Sequence, residues 1–389
     1  MNGKKWVVLS AYLGALVLTQ VFWYNFAPLL SLIVSRYGVS ELTAGWTILV
    51  FPLASLLISG HAGSLIDRRG YRFSIQAGLV VMSVSAVLRI FDSSFWMILA
   101  GQAGIAVSVP YIVTGISKLV SDWFDPHQEA LITGYCTIGI FVGMSISLAA
   151  SPQLVNGFGF RGSMIVLALA AIVWTVVFKL AVSERQSQAA ADAGAKTDFR
   201  ALLTNRNLLV IFATAFIGQG CFNALTTWME VIWHERGFAS EAAGLASGIV
   251  IIGGIVGSFL VPPLADRFPH PRAILWACVI PCLFLIHPFL LASSPRMGYT
   301  WGAGLGLFWL PTLAISLTLL ERSAHKEHAG AAAGIFWTAG NAGVLGLTIL
   351  FEQLKEATNW GVAIQGVIFL MAVMVALIGL LRFRPESEH

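Results

Sequence analysis

Gly63-Ser64-Leu65-Ile66-Asp67-Arg68-Arg69-Gly70-Tyr71-Arg72 is the stretch that decides how this chain folds. It is a short charged run between two long apolar ones. It returns in degraded form as Pro262-Pro263-Leu264-Ala265-Asp266-Arg267, with Asp266 lying 199 positions after Asp67. In a chain of 389 residues, a loop that recurs at half-length implies two copies of one unit.

The flanks of that loop say which solvent the units occupy. Charged residues make up 11% of the chain, against ~25% in ordinary globular proteins. Hydrophobic residues make up 57% and the mean hydropathy is +0.80. So few charges cannot cover a water-facing surface, and the bilayer is expected to be the solvent for most of the chain. A segment in lipid must satisfy its own backbone hydrogen bonds, so each span is a helix of ~20 residues. Twelve such stretches lie near 6–33, 42–65, 72–91, 95–119, 129–151, 161–182, 207–234, 240–264, 272–292, 297–320, 328–351 and 360–381. The ninth and tenth are separated only by Ser293-Ser294-Pro295-Arg296.

Charge sets the orientation. Lys4 and Lys5 precede an apolar run that continues past Leu30, too long for the core of a cleaved signal peptide, so a retained first helix is expected. Threading twelve spans from an inside start puts about 17 of the 23 basic residues on one side. The positive-inside rule assigns that side, with both termini, to the cytoplasm. The expected location is a bacterial cytoplasmic (inner) membrane. No nucleic-acid signal is present, and the net charge of +4 is accounted for by the loops. Cys278 and Cys282 share a helix face at i,i+4, but without a nearby His or carboxylate they read as packing residues, so no metal and no cofactor is expected.

The long polar connection from Ser183 to Asn205 divides the chain into an expected six-helix bundle at 1–182, a cytoplasmic linker at 183–206 and a second bundle at 207–389. The offset of about 200 recurs in chain order: Gln20 with Gln219, Arg36 with Arg236, Ser40 and Glu41 with Ser240 and Glu241, Gly134 with Gly334, Gly143 with Gly343. Parallel six-span repeats are the major facilitator plan. The loop at Gly63, Asp67, Arg68, Gly70 and Arg72 resembles that superfamily's signature between spans two and three. The chain is therefore identified as an all-α membrane protein of the major facilitator fold.

The resemblance implies roles. The signature Asp holds the cytoplasmic side shut against the start of the eleventh helix, which places Asp67 near His328 to Ala331, with Lys118 or Arg72 as salt-bridge partners. Asp266 and Arg267 would form the weaker second copy, since Pro269 replaces Gly70 there. The competing reading is that Arg68, Arg69 and Arg72 only fix topology.

The same fold places spans one, four, seven and ten around the pathway. Span four carries a stripe at 3-4-3-4-3 spacing, Gly101, Gly104, Ser108, Tyr111, Gly115 and Lys118. Its glycines suit helix packing; Ser108 and Tyr111 favour a cavity face. Span one offers Gln20, Trp23, Tyr24 and Asn25. Span seven offers Gln219, Phe222 and Asn223, followed by Thr226 and Glu230. Span ten adds Trp309, and spans five and eleven add Phe141, Trp337 and Asn341. Trp23, Trp309 and Trp337 sit too deep for the interfacial aromatic belt, so each faces either lipid or the pathway. Trp23, Tyr111, Asn223 and Trp309, one per pathway helix, are expected to face one cavity.

No Asp or Glu lies near the middle of a span, where a proton-coupling carboxylate would be expected. Glu230, Arg89 and His287 fall toward outer ends, and His61 lies one or two turns from the cytoplasmic end of span two. From Leu88-Arg89 through Gly101-Gln102 and Pro110 to Lys118, Trp123-Phe124 and Gly143, the chain resembles the FLVCR-like branch of the superfamily, which includes choline and ethanolamine carriers and proteins linked to haem and vitamin B6 transport. That resemblance makes Trp23 the match for an aromatic cage residue, because cation–π attraction can hold a quaternary ammonium without a carboxylate. The branch's Gln in span five is Phe141 here, and its acidic residues in span ten are missing.

The expected function is secondary transport of a small organic solute by alternating access, by a monomer whose partners are that solute and the lipid bilayer. A proton-coupled carrier of an organic anion or zwitterion is the alternative. A membrane enzyme is remote, since no mid-depth nucleophile with a base is present; His325 and His328 flank span eleven in a charged loop.

Overall fold

The structure is a computed structural model that describes residues 2–183, 199–265, 271–324 and 329–382. Every regular element among the described residues is a helix. The first part comprises α1 (Asn2–Tyr24), a 3-10 turn (Ala27–Leu29), α2 (Leu30–Tyr37), α3 (Glu41–Leu88), α4 (Phe95–Val113), α5 (Gly115–Trp123) and α6 (Pro126–Ala181). The second comprises α7 (Phe199–Thr204), α8 (Arg206–Glu235), α9 (Ser240–Ala265), α10 (Pro271–Leu290), α11 (Pro295–Trp309), α12 (Pro311–Ser323), α13 (Ala329–Ala357) and α14 (Trp360–Gly379).

Eleven helical stretches among the described residues are long and apolar enough to cross a membrane. α3 contributes two of them, Glu41–Ile66 and Arg68–Leu88, and its backbone leaves helical geometry at Gly70 (φ 81°, ψ 161°). That positive φ is the physical reason for glycine in the signature loop, because a Cβ would clash there. α6 leaves helical geometry in the same way at Gly159 (φ 70°, ψ 170°). The break between the ninth and tenth sequence stretches falls where the sequence put it: α10 ends at Leu290 and Ser294 caps α11, accepting from the Met297 backbone N–H at 3.4 Å.

The internal repeat reaches atomic detail. Ser94 caps α4 by accepting from the Met97 N–H at 3.4 Å, and the Ser93 hydroxyl sits 3.1 Å from the Met97 sulfur. Ser294 and Ser293 do the same to Met297, at 3.4 and 3.1 Å. Gly143 of α6 lets the backbone of α1 approach at Val17, and Gly343 of α13 lets α8 approach at Phe216. Small residues at these crossings allow the contact that van der Waals packing in lipid requires.

The chain divides into two compact units, Met1–Asp192 with Gly237–Gly248, and Ala193–Arg236 with Ile249–His389. Gly237–Gly248, placed by the sequence in the second half, groups with the first because the start of α9 packs on α6. The Ser145 hydroxyl donates to the Gly248 carbonyl at 3.2 Å, Asn156 contacts Glu241, and Gly244 leaves room for the Leu148 carbonyl.

Within the first unit the glycines of the span-four stripe pack against the second half of α3. A Cβ on Gly101 would lie 2.6 Å from the Arg89 Cγ, one on Gly104 would meet Ser85, and one on Gly115 would lie 2.9 Å from Ile75. Ser108 is 0% exposed and returns its hydroxyl to the Ile105 carbonyl at 2.6 Å. Small residues at 3-4 spacing serve close helix approach as well as they would line a cavity, and the period alone does not distinguish the two.

Candidate functional site

In the first unit the candidate residues gather at a break in the first span. Pro28 has no N–H to donate and its ring excludes a helical carbonyl four residues back, so α1 ends at Tyr24 and the chain resumes as a 3-10 turn. The carbonyls freed at the break are taken up by side chains. Gln102 Nε2 donates to the Phe22 carbonyl at 2.8 Å, and Ser147 Oγ donates to the Val21 carbonyl at 2.7 Å. With its amide oriented to satisfy both neighbours, Asn25 donates to the same Phe22 carbonyl at 2.8 Å and accepts from Arg89 Nη2 at 3.2 Å.

Trp23 lies at the edge of this break, half-buried. Its ring stacks with Phe51 of α3 (centroids 5.1 Å, 11°) and with Tyr24 (5.5 Å, 7°). Its indole N–H is buried with no hydrogen-bond partner among the described residues, a donor without an acceptor. Tyr24 is buried, and Gln20 is buried with its amide 3.3 Å from the Thr19 hydroxyl. Phe141 is half-buried on α6. Asn25 is 1% exposed.

Tyr111 leaves the span-four seam at its end and pairs with a residue that the sequence left at the membrane edge. His61 Nδ1 and the Tyr111 hydroxyl are 2.8 Å apart, with the His61 ring exposed. Further along, Lys118 is 3.0 Å from Asp122, whose side chain is 1% exposed. Lys118, expected opposite Asp67, thus holds a carboxylate on its own helix at i,i+4. Arg72 donates to the Lys179 carbonyl at 3.3 Å, Arg68 is exposed, and Gly63 is half-buried with open space about it. The Asp67 side chain, Asp266, Arg267 and the side chains at 325–330 lie outside the described residues. Tyr71, inside the signature loop, is fully buried: its hydroxyl donates to the Ser183 carbonyl at 2.9 Å and accepts from Trp123 Nε1 at 2.6 Å.

In the second unit, α8 presents Gln219, Phe222 and Asn223 within one turn. Phe222 meets Trp309 edge-on (5.7 Å, 66°), and Trp309 is 4% exposed at the end of α11. Leu310-Pro311 interrupts the helix there, and the Thr312 hydroxyl donates to the Trp309 carbonyl at 2.5 Å. Gln219 fills the space that a Cβ on Gly340 would take, and its Nε2 has no hydrogen-bond partner among the described residues. Trp337 is 45% exposed, and Asn341 Nδ2 donates back to the Trp337 carbonyl at 2.9 Å. Asn223, Thr226 and Glu230 are all buried in this unit, at 8%, 6% and 2% exposure. Glu352 of α13, 0% exposed and 3.8 Å from Lys355, is a second buried carboxylate that sequence reading missed because it sits in the last turns of an apolar span.

A family model described as Major Facilitator Superfamily matches residues 12–347. The chain is similar to the 2-nitroimidazole transporter of Escherichia coli (strain K12), 25% identical over 402 aligned positions that cover 100% of this chain and 98% of that protein. It is also similar to the choline/ethanolamine transporter FLVCR1 of Felis catus, at 21% over 97% of this chain and 73% of that protein. That likeness runs well beyond the first-half residues from which it is legible. Among solved structures, a bacterial homolog of the human lysosomal transporter Spinster, inward-facing and unoccupied, superposes with a TM-score of 0.77 at 14% identity, covering 98% of this chain and 95% of that one. At that identity the likeness speaks for the fold alone.

Proposed function

Since the chain belongs to the Major Facilitator Superfamily, we propose that it moves a small organic solute carrying an ammonium or a flat aromatic group by alternating access. The observation that carries the reading is the pair of aromatic faces, Trp23 on Phe51 in one unit and Phe222 on Trp309 in the other. Each carries an N–H donor with no partner among the described residues, Trp23 Nε1 and Gln219 Nε2. Aromatic faces attract cations and flat rings. A sugar would need many paired donors and acceptors, which these faces lack. The names of the two relatives, a nitroimidazole carrier and a choline/ethanolamine carrier, fall in the same two ligand classes.

α6 carries a stretch of 55 residues, about 80 Å of helix at ~1.5 Å per residue, far more than a ~30 Å hydrocarbon core needs. Gly159 would divide it into two spans, giving twelve with both termini cytoplasmic, in a bacterial inner membrane. The protein would act as a monomer organised as six-helix bundles at 1–182 and 207–389. The test is ligand-induced thermal stabilisation of the purified protein with choline, ethanolamine, 2-nitroimidazole and a hexose. Stabilisation by an amine or by the nitroaromatic is expected; stabilisation by the hexose alone would overturn the assignment.

Two further results are expected. Asp67→Asn should shift cysteine accessibility toward the inward-open state with folding intact, because the signature carboxylate favours a helix start only while the cytoplasmic side is closed. Unchanged accessibility would leave the loop as a topology signal. Substrate flux should also persist without a proton gradient, since Glu230 and Glu352 sit near the ends of α8 and α13 rather than at mid-span. Uptake into proteoliposomes that stops on adding a protonophore, and that His61→Ala or Glu230→Gln abolishes, would sink this expectation.

A further inference from the structure

Arg89 is a guanidinium at 0% exposure with no carboxylate within ion-pair distance among the described residues. Burying an unpaired charge is strongly unfavourable unless other groups answer it. The two terminal nitrogens are answered by neutral groups, nearly all of which belong to the break in span one or contact it, while Nε has no partner among the described residues. Nη1 donates to Gln102 Oε1 at 2.6 Å, and the other end of that amide holds the Phe22 carbonyl. Nη2 lies 3.2 Å from the Asn25 oxygen, whose amide nitrogen reaches the same carbonyl, and 3.0 Å from the Met164 sulfur. The guanidinium carbon sits 5.1 Å from the Phe22 ring centre and 4.8 Å from that of Phe26, which bracket the break. Its cationic charge also stands at the C-terminal end of α1, where the helix dipole is negative. Gly101 leaves the space the Arg89 stem occupies.

We infer that Arg89 is a positioning residue, its buried guanidinium locking the break at Tyr24–Asn25 and so fixing the pose of Trp23 and Tyr24 for substrate. Asn25 then serves this lock rather than touching the solute. The inference rests on the reading that Trp23 contacts substrate, but the lock itself does not. Lysine at position 89 would keep the charge against Phe22 and Phe26, yet one ammonium on a flexible stem cannot hold the Gln102 and Asn25 oxygens in the fixed geometry of a guanidinium.

The experiment uses the full chain in lipid nanodiscs, comparing wild type, Arg89→Lys, Gln102→Met and Trp23→Ala. Backbone hydrogen exchange is read over residues 20–30, and binding is read with choline and with 2-nitroimidazole. Both Arg89→Lys and Gln102→Met are expected to speed exchange in 20–30 by about tenfold or more, the scale of one lost hydrogen bond to a charged group, with the other helices unchanged. Both should weaken binding of the probe that wild type takes, or raise its KM in uptake, with turnover at saturation preserved. A merely structural role would instead lower the melting temperature and the amount of active transporter while leaving KM alone. Unchanged exchange in 20–30 in the folded variants overturns the lock. If Arg89→Lys does not fold, Gln102→Met decides, since it leaves the cation in place and removes one arm. Faster exchange together with unchanged binding, in a protein where Trp23→Ala does weaken binding, overturns the positioning role. If Trp23→Ala leaves binding untouched, the substrate reading of the aromatic face has failed, and the exchange result still judges the lock.

Discussion

Gly343→Leu is expected to yield no folded protein, and Gly143→Leu the same. A Cβ at Gly343 would lie 2.9 Å from the Cα of Phe216 and nearer still to its carbonyl; one at Gly143 would lie 2.8 Å from the Cα of Val17. The obstacle in each case is backbone on the neighbouring helix, so no side-chain rotation relieves it. Overpacking a well-packed core costs ~1–3 kcal/mol when side chains can yield, and a clash with a rigid helix exceeds that. Gly334→Ala is the control: nothing lies within 4 Å of a Cβ there, so the change should be neutral or stabilising by up to ~1 kcal/mol through helix propensity. Monodisperse elution and the melting temperature in detergent would read all three. Folded Gly343→Leu with a wild-type melting temperature would mean that α8 and α13 are not in the contact described.

Trp23→Ala and Trp309→Ala are each expected to weaken binding of the transported solute by at least ~1 kcal/mol, or about fivefold, the worth of one aromatic contact. Trp23 should show the larger loss, because it also carries a buried N–H that no group among the described residues answers and that a ligand acceptor would satisfy. Trp23→Phe separates the two contributions: it keeps the stack on Phe51 and discards the donor. Equal affinity for Trp23→Phe and wild type would assign the residue to stacking alone. Full affinity in all three variants would show that these rings are packing and not recognition. Tyr111→Ala is expected to act through His61, its hydrogen-bond partner at 2.8 Å, and Asn223→Ala to act from a side chain already largely enclosed in its own unit.

Much of the fold could be read from the residues because lipid leaves a chain few choices. Apolar length, the Lys and Arg bias and the recurring charged loop lead to helical spans, to a family signature and to a repeat of about 200 residues. The repeat then reappears in the structure as matched serine caps at Ser94 and Ser294 and matched glycine crossings at Gly143 and Gly343. These features are local or periodic, and local chemistry is written in order along the sequence.

What only the tertiary structure decided is which face of each helix meets which neighbour. The stripe through Gly101, Gly104 and Ser108 has one period whether it lines a pathway or packs on α3, and the choice went to packing because Arg89 and Ser85 fill the space the glycines leave. Lys118 and Asp122 stand at i,i+4 and their pairing is written in the helical spacing, but the burial of the carboxylate, 1% exposed, is tertiary. Gln102 and Asn25 lie 77 positions apart, and no spacing along the chain shows that both donate to the carbonyl of Phe22 while Arg89 donates to both their oxygens. Sequence fixes each group's chemistry and helical phase; the desolvation that makes a buried guanidinium a lock, and the contact that answers it, exist only once distant helices have closed around it.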